Sequence, residues 1–122
     1  KMVSQSKSPE GEEKFVWDFT EFNPEFFNHL EERIKDLMKL GIEADVIIYH
    51  PYDKGHWGFD LMPHETDVFY LKYLISRISS FRNVWWSLAN EYDFMTVGFD
   101  EISIKTYEDW DDCIQTINTH DP

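Results

Sequence analysis

The stretch RNVWWSLANEYD, residues 82–93, changes character abruptly along its length. Val84, Trp85, Trp86 and Leu88 make an apolar run, and Asn90-Glu91 follows at once. A strand with one wet face would alternate apolar and polar residues. A continuous run predicts a strand, here residues 83–89, buried on both faces as in a parallel sheet. The upstream segment ADVIIYHPYD, residues 44–53, repeats the pattern. Val46, Ile47, Ile48 and Tyr49 predict a strand over 45–50, with Pro51 stopping it and His50 at its end.

Helical signals separate and flank these strands. Asn23 is placed as an N-cap and Pro24 suits the first helical position, where its missing N–H costs nothing. Phe27, Leu30, Ile34, Leu37 and Met38 recur at helical spacing, and Gly41 is placed to end the helix, so residues 24–40 read as one amphipathic helix. Val68, Leu71, Leu74, Ile75 and Ile78 predict a second helix over 66–81. Thr106 with Asp109 resembles a capping box that opens a third helix, 107–118, with Trp110, Cys113, Ile114 and Ile117 on its apolar stripe. Helix, strand, helix, strand, helix is the order of a parallel α/β architecture built from βαβ units. Two strands alone cannot bury both faces of segments this apolar. Barrels of this class need about 250 residues. The expectation is therefore an α/β fold that is part of a (β/α)8 TIM barrel, spanning residues 15–122, with a doubly wound open sheet, which lacks strands too, as the runner-up. Residues 1–14, rich in Ser, Lys and Glu with Pro9 and Gly11, read as a flexible lead-in or surface loop. FVWDFTEF, residues 15–22, reads as a strand or as a loop packed over a barrel mouth.

The 122 residues carry 24 acidic and 11 basic side chains, a net charge of −13. Such a surface repels phosphate backbones and anionic lipids, so neither nucleic acid nor membrane is an expected partner. An uncharged sugar is indifferent to it. Cys113 is the single cysteine, which excludes an internal disulfide framework and a Cys-based metal site. His50, His56 and His64 lack the helical spacing of a metal motif, and no glycine-rich phosphate turn follows either strand, so no metal and no cofactor is expected. Compartment stays open between cytoplasmic and secreted.

In parallel α/β folds reactive groups gather at the carboxyl ends of strands. Those ends carry His50-Pro51-Tyr52-Asp53 and Asn90-Glu91-Tyr92-Asp93. Here the residues carry a resemblance. NVWWSLANEYD resembles the fourth-strand motif of clan A retaining glycoside hydrolases, an apolar strand followed by Asn-Glu. LGIEADVIIYHPYD is similar to the preceding strand of a bacterial group of glycosyl hydrolases, cellulase-like and apiosidase-like. The similarity runs from about Trp17 to Pro122.

The resemblance implies that Glu91 is the general acid/base and that Asn90 binds the hydroxyl beside the anomeric carbon. It also implies a nucleophilic carboxylate on a later strand, outside this chain; Asp53, Asp60 and Asp93 do not match that position. An acid/base needs a carboxyl held partly protonated, and Trp85 or Trp86 could supply the apolar wall, depending on strand twist. His50 is a candidate for substrate contact or for positioning Glu91, or else a core histidine. Tyr92 is a candidate beside the substrate, though packing suits it better. Trp57 and Phe59, in a loop with Gly55 and Gly58, either offer flat faces to a sugar ring or pack the loop down. The function implied is hydrolysis of O-glycosidic bonds by retaining double displacement. Two other readings stay open: a non-catalytic carbohydrate-binding or interaction module, and a barrel enzyme of another class using Glu91 as a proton-transfer base. The expected partners are a carbohydrate and the rest of the barrel, or further copies of the chain through exposed strand edges.

Overall fold

The structure is a computed structural model that describes residues 2–7, 13–50, 58–96 and 105–121. Its elements are β1 (Met2–Lys7), β2 (Glu13–Trp17), α1 (Pro24–Lys39), β3 (Ala44–Tyr49), α2 (His64–Ile78), β4 (Val84–Ala89) and α3 (Tyr107–His120), with 3-10 turns at Phe59–Leu61 and Tyr92–Met95.

Helix α1 begins and ends as its sequence dictates. The Asn23 side chain accepts the Glu25 and Phe26 amides, at 3.1 and 3.3 Å, with Pro24 in the first turn. At the other end Gly41, with φ +72°, donates to Met38 O, and Ile42 donates to Leu37 O. That pair of bonds is a Schellman motif, which satisfies carbonyls the helix would otherwise leave bare. The chain turns directly into β3.

Strands β3 and β4 pair in parallel, from Ala44 opposite Val84 to Tyr49 opposite Ala89. Helix α2 lies between them in sequence and turns a buried stripe to the core: Leu71, Leu74, Ile75 and Ile78 are all at most 1% exposed. It starts two residues earlier than expected and ends at Ile78, where Ser79 N bonds Ile75 O and Phe81 N bonds Ile78 O in a closing turn. The core also takes Phe27 and Ile34 of α1, Ile48 and Tyr49 of β3, and Trp110 and Cys113 of α3. Arg77 ties α2 to α1: its Nε meets Glu31 Oε1 at 2.5 Å and its Nη2 meets Asn28 Oδ1 at 2.6 Å. The guanidinium carbon also sits 5.9 Å from the Phe27 ring centroid and 5.7 Å from that of Tyr73. Asn83, 7% exposed, bridges the start of β4 to α1, donating to Ile34 O at 3.2 Å and Ile42 O at 3.1 Å.

Two expectations need correction. Residues 1–14 are not simply a flexible lead-in, because Met2–Lys7 is a strand paired antiparallel with Glu13–Trp17, with one irregularity between Met2 and Ser4. The β-prone Phe15-Val16-Trp17 supplies a ladder, and ladder hydrogen bonds recruit a partner whose own composition is polar. That pairing also resolves FVWDFTEF as a strand as far as Trp17, followed by a turn. The second correction concerns burial. Ile47 is 56% exposed and Trp85 61%, so one face of the β3–β4 sheet is open in this chain while the helices cover the other. The continuous apolar runs mark a sheet with two dry sides; this chain supplies the cover for one.

Candidate active site at the carboxyl ends of the parallel strands

Parallel pairing brings the ends of β3 and β4 side by side. The last registered pair is Tyr49 with Ala89, so His50 and Asn90 leave adjacent strands on the same side of the sheet. His50 is half-buried; Asn90, Glu91 and Tyr92 are exposed. Glu91 sits at φ 52°, ψ 53°, the one non-glycine residue with positive φ among the described residues. An L-residue in the left-handed region costs about 1–2 kcal/mol and persists where its surroundings enforce it. Here β4 precedes it and the Tyr92–Met95 turn follows, closed by Thr96 N to Asp93 O at 3.0 Å. The Tyr92 ring lies edge-on to Trp110, 5.7 Å between centroids.

Neither tryptophan of β4 walls in Glu91. Trp86 packs on the helix-covered face and donates from Nε1 to Asp121 Oδ2 at 2.8 Å. Trp85 lies on the open face but six residues back, roughly 20 Å along a strand at about 3.3 Å per residue. Phe59 is edge-on to Tyr49 at 6.2 Å and tilted against Tyr70 at 5.7 Å, so it packs its loop down. Trp57, His56, Tyr52 and Asp53 lie outside the described residues. His64, at the start of α2, reaches across to α3, with Nδ1 3.2 Å from Asp109 Oδ1 and Nε2 3.2 Å from Asp112 Oδ2. Among the described residues no three His, Cys, Asp or Glu side chains are grouped to hold a metal, and no helix is long and apolar enough to cross a membrane.

Beneath the strand ends lies a polar cluster that the sequence reading missed. Asp67 and Lys105 pair at 1% and 4% side-chain exposure, and Lys105 Nζ also donates to Met62 O at 3.3 Å. The ammonium sits 5.6 Å from the Tyr49 ring centroid. Tyr49 donates its hydroxyl to Asp67 O at 3.2 Å and lies 3.7 Å from the Cys113 sulfur. Burial pushes the Asp67 carboxyl up to about 6, against the opposing pull of Lys105. Burial likewise raises Tyr49, Tyr70 and the Cys113 thiol, so all three stay protonated at neutral pH. One signal could have exposed the cluster. Asp67 occupies the same helical stripe as Leu71, Leu74 and Ile78, where a lone carboxylate demands a partner. A further cavity of about 450 Å³, lined largely by aromatics including Trp17, Phe22, Phe27, Phe59, Phe69 and Tyr70, opens between the N-terminal ends of α1 and α2.

The model of the apiosidase-like catalytic domain matches residues 2–122. The chain belongs to that family. A solved structure similar to it is that of a "putative glycoside hydrolase" from Bacteroides vulgatus ATCC 8482, 49% identical with a TM-score of 0.86. The match covers 100% of this chain and 22% of that one, so the apiosidase-like chain spans about a fifth of its solved relative. No curated protein matches it. Its alternating helices and parallel strands are thus part of an α/β barrel, within a glycoside-hydrolase-like domain. The open face of the β3–β4 sheet has a plain physical reading in that setting: the inside of a barrel is filled by side chains from all of its strands.

Proposed function

We propose that this chain carries the acid/base arm of a retaining glycoside hydrolase, with Glu91 as the proton donor and acceptor. One observation supports this above the others: Glu91 stands at the carboxyl end of a parallel strand, directly after Asn90, in a chain of a glycosidase-like family. Its carboxyl would protonate the leaving glycosidic oxygen and then take a proton from the water that attacks the covalent intermediate. Asn90 would hold the sugar hydroxyl beside the reacting carbon, a contact that strengthens as positive charge develops on the ring. His50, Tyr92 and Trp57 are proposed to line the same sugar site.

Retention requires a second carboxylate about 5–5.5 Å from the first. We place it on a later strand, outside this chain, so residues 1–122 alone hydrolyse no aryl glycoside. The partner implied by exposed Ile47 and Trp85 is the remainder of the barrel; without it the chain associates with itself. The test is Glu91→Gln in the full-length protein, assayed on a panel of aryl glycosides that includes an apioside, the sugar class the family is named for. Turnover is expected to fall by two or more orders of magnitude, of the size general acid/base catalysis supplies (about 10²–10⁴-fold). Azide or an activated leaving group should restore part of it. A variant with normal rates would remove Glu91 from the chemistry.

A further inference from the structure

The left-handed conformation of Glu91 raises the question of what keeps it there, and α3 contains the answer. Trp110 is 3% exposed, one turn into a helix whose start is fixed by the Thr106–Asp109 capping box. Its indole touches the segment after Glu91 at two places. The ring meets Tyr92 edge-on, at 5.7 Å and 82°, and Nε1–H donates to Thr96 Oγ1 at 3.2 Å. Those two residues bracket the 3-10 turn Tyr92–Met95. Thr96 is held a second time, by a parallel bridge to Lys105, whose ammonium is locked into the Asp67 pair. The indole also meets the ring of Tyr49, the last residue of β3, with 5.8 Å between centroids. One rigid ring thus spans the end of β3 and both ends of the turn that carries the chain away from Glu91.

We infer that Trp110 is a positioning residue: its indole, bonded to Thr96 and stacked edge-on against Tyr92, clamps the turn that presents the Glu91 carboxyl. Trp110 touches no reacting atom. It acts by fixing the backbone at a residue that would otherwise relax out of its unfavourable conformation, and small misplacements of a catalytic group cost rate steeply. The inference rests on the reading of Glu91 as the acid/base.

The experiment uses the full-length protein and a dinitrophenyl glycoside, alongside a less activated aryl glycoside. Trp110→Phe keeps a ring against Tyr92 and Tyr49 but deletes the N–H. Thr96→Val deletes the acceptor and leaves the indole in place, so it tests the same bond should the first variant fold poorly. Each is expected to lower kcat on the less activated substrate about ten- to a hundredfold, in line with the cost of roughly 1 Å of misplacement. KM should stay within about twofold, and the limb of the kcat/KM pH profile that reports the acid/base should move. The double variant should be no worse than the poorer single one, since both remove one bond. A defect of folding alone would lower the active fraction and leave the profile where it was.

A second arm separates positioning from general damage. In a Glu91→Ala background azide attacks the anomeric carbon of the glycosyl-enzyme, and the bonding pair returns to the enzyme carboxylate, giving a glycosyl azide with no proton needed from residue 91. Adding Trp110→Phe should change that azide-rescued rate by no more than about twofold. The inference is overturned if both single variants keep kcat within about twofold, or if the azide-rescued rate falls as far as the native rate did. Full turnover by Glu91→Ala without azide would overturn the acid/base reading itself, a different result from either.

Discussion

Removing the Lys105 ammonium should leave a bare carboxylate in the centre of the fold. In Lys105→Met the stem volume is nearly kept, while Asp67, at 1% exposure, loses its charge partner. Among the described residues Asp67 Oδ1 has no hydrogen-bond partner to offset the loss. Breaking one side of a buried ion pair costs about 3–5 kcal/mol. At 1.4 kcal/mol per factor of ten, the core amides of α2, Leu71 to Ile78, should exchange with solvent deuterium roughly 140- to 3700-fold faster at pH 8. The pH dependence has a definite sign. The folded pKa of Asp67, about 6, lies above the carboxylate's ordinary value near 3.8, so protonation favours the fold. The stability it contributes is complete below about pH 4 and is lost as pH rises through 6. Without Lys105 the carboxyl is pushed higher still, so it is protonated at pH 5 and the deficit of the variant shrinks there. Asp67→Leu combined with Lys105→Met removes both charges and should return protection to the wild-type level or above. Hydrogen exchange by mass spectrometry, corrected for intrinsic rates at each pH, reads all of these. Protection of Lys105→Met within threefold of wild type at pH 8, or a deficit equal at pH 5 and pH 8, would refute the reasoning.

Two further substitutions probe the frame around the site. In Gly58→Ala the new Cβ would come 2.7 Å from Trp17 Cδ1 and 2.9 Å from Cγ, at a backbone φ of +81°. Strain plus the clash should cost about 1–3 kcal/mol, seen as a lowered midpoint in thermal unfolding; an unchanged midpoint would mean the Trp17 indole yields freely. Asn83→Leu strips the donor from Ile34 O and Ile42 O, for an expected loss of about 1–3 kcal/mol in urea unfolding, and a loss below about 0.5 would show that water reaches those carbonyls.

Local chemistry was legible in the sequence wherever a residue acts on its own neighbours. Asn23-Pro24 and Thr106 with Asp109 start helices, Gly41 ends one, and two apolar runs form adjacent parallel strands. The position of Asn90-Glu91 at a strand end followed from those runs alone. What escaped depends on partners far away in the chain. Strand β1 owes its conformation to β2 rather than to its own composition. Lys105, 38 residues from Asp67, looks like any solvated lysine until folding brings the two together. The facing of Trp86 toward α3 instead of toward Glu91 depends on which side the helices pack, and apolar residues on consecutive positions carry no alternation from which to read it.

The Arg77 fork has a mechanical consequence. A guanidinium is planar and its donors point in fixed directions, so bonding Glu31 and Asn28 at once, while lying over Phe27 and Tyr73, leaves α2 no freedom to roll about its long axis. A roll of even one residue, about 100° of helix rotation, would swing Asp67 away from Lys105 and point a carboxylate at hydrocarbon. A lysine at position 77 could satisfy one of these partners but not fix the angle, and the pairing two helical turns and more away would lose its alignment pin.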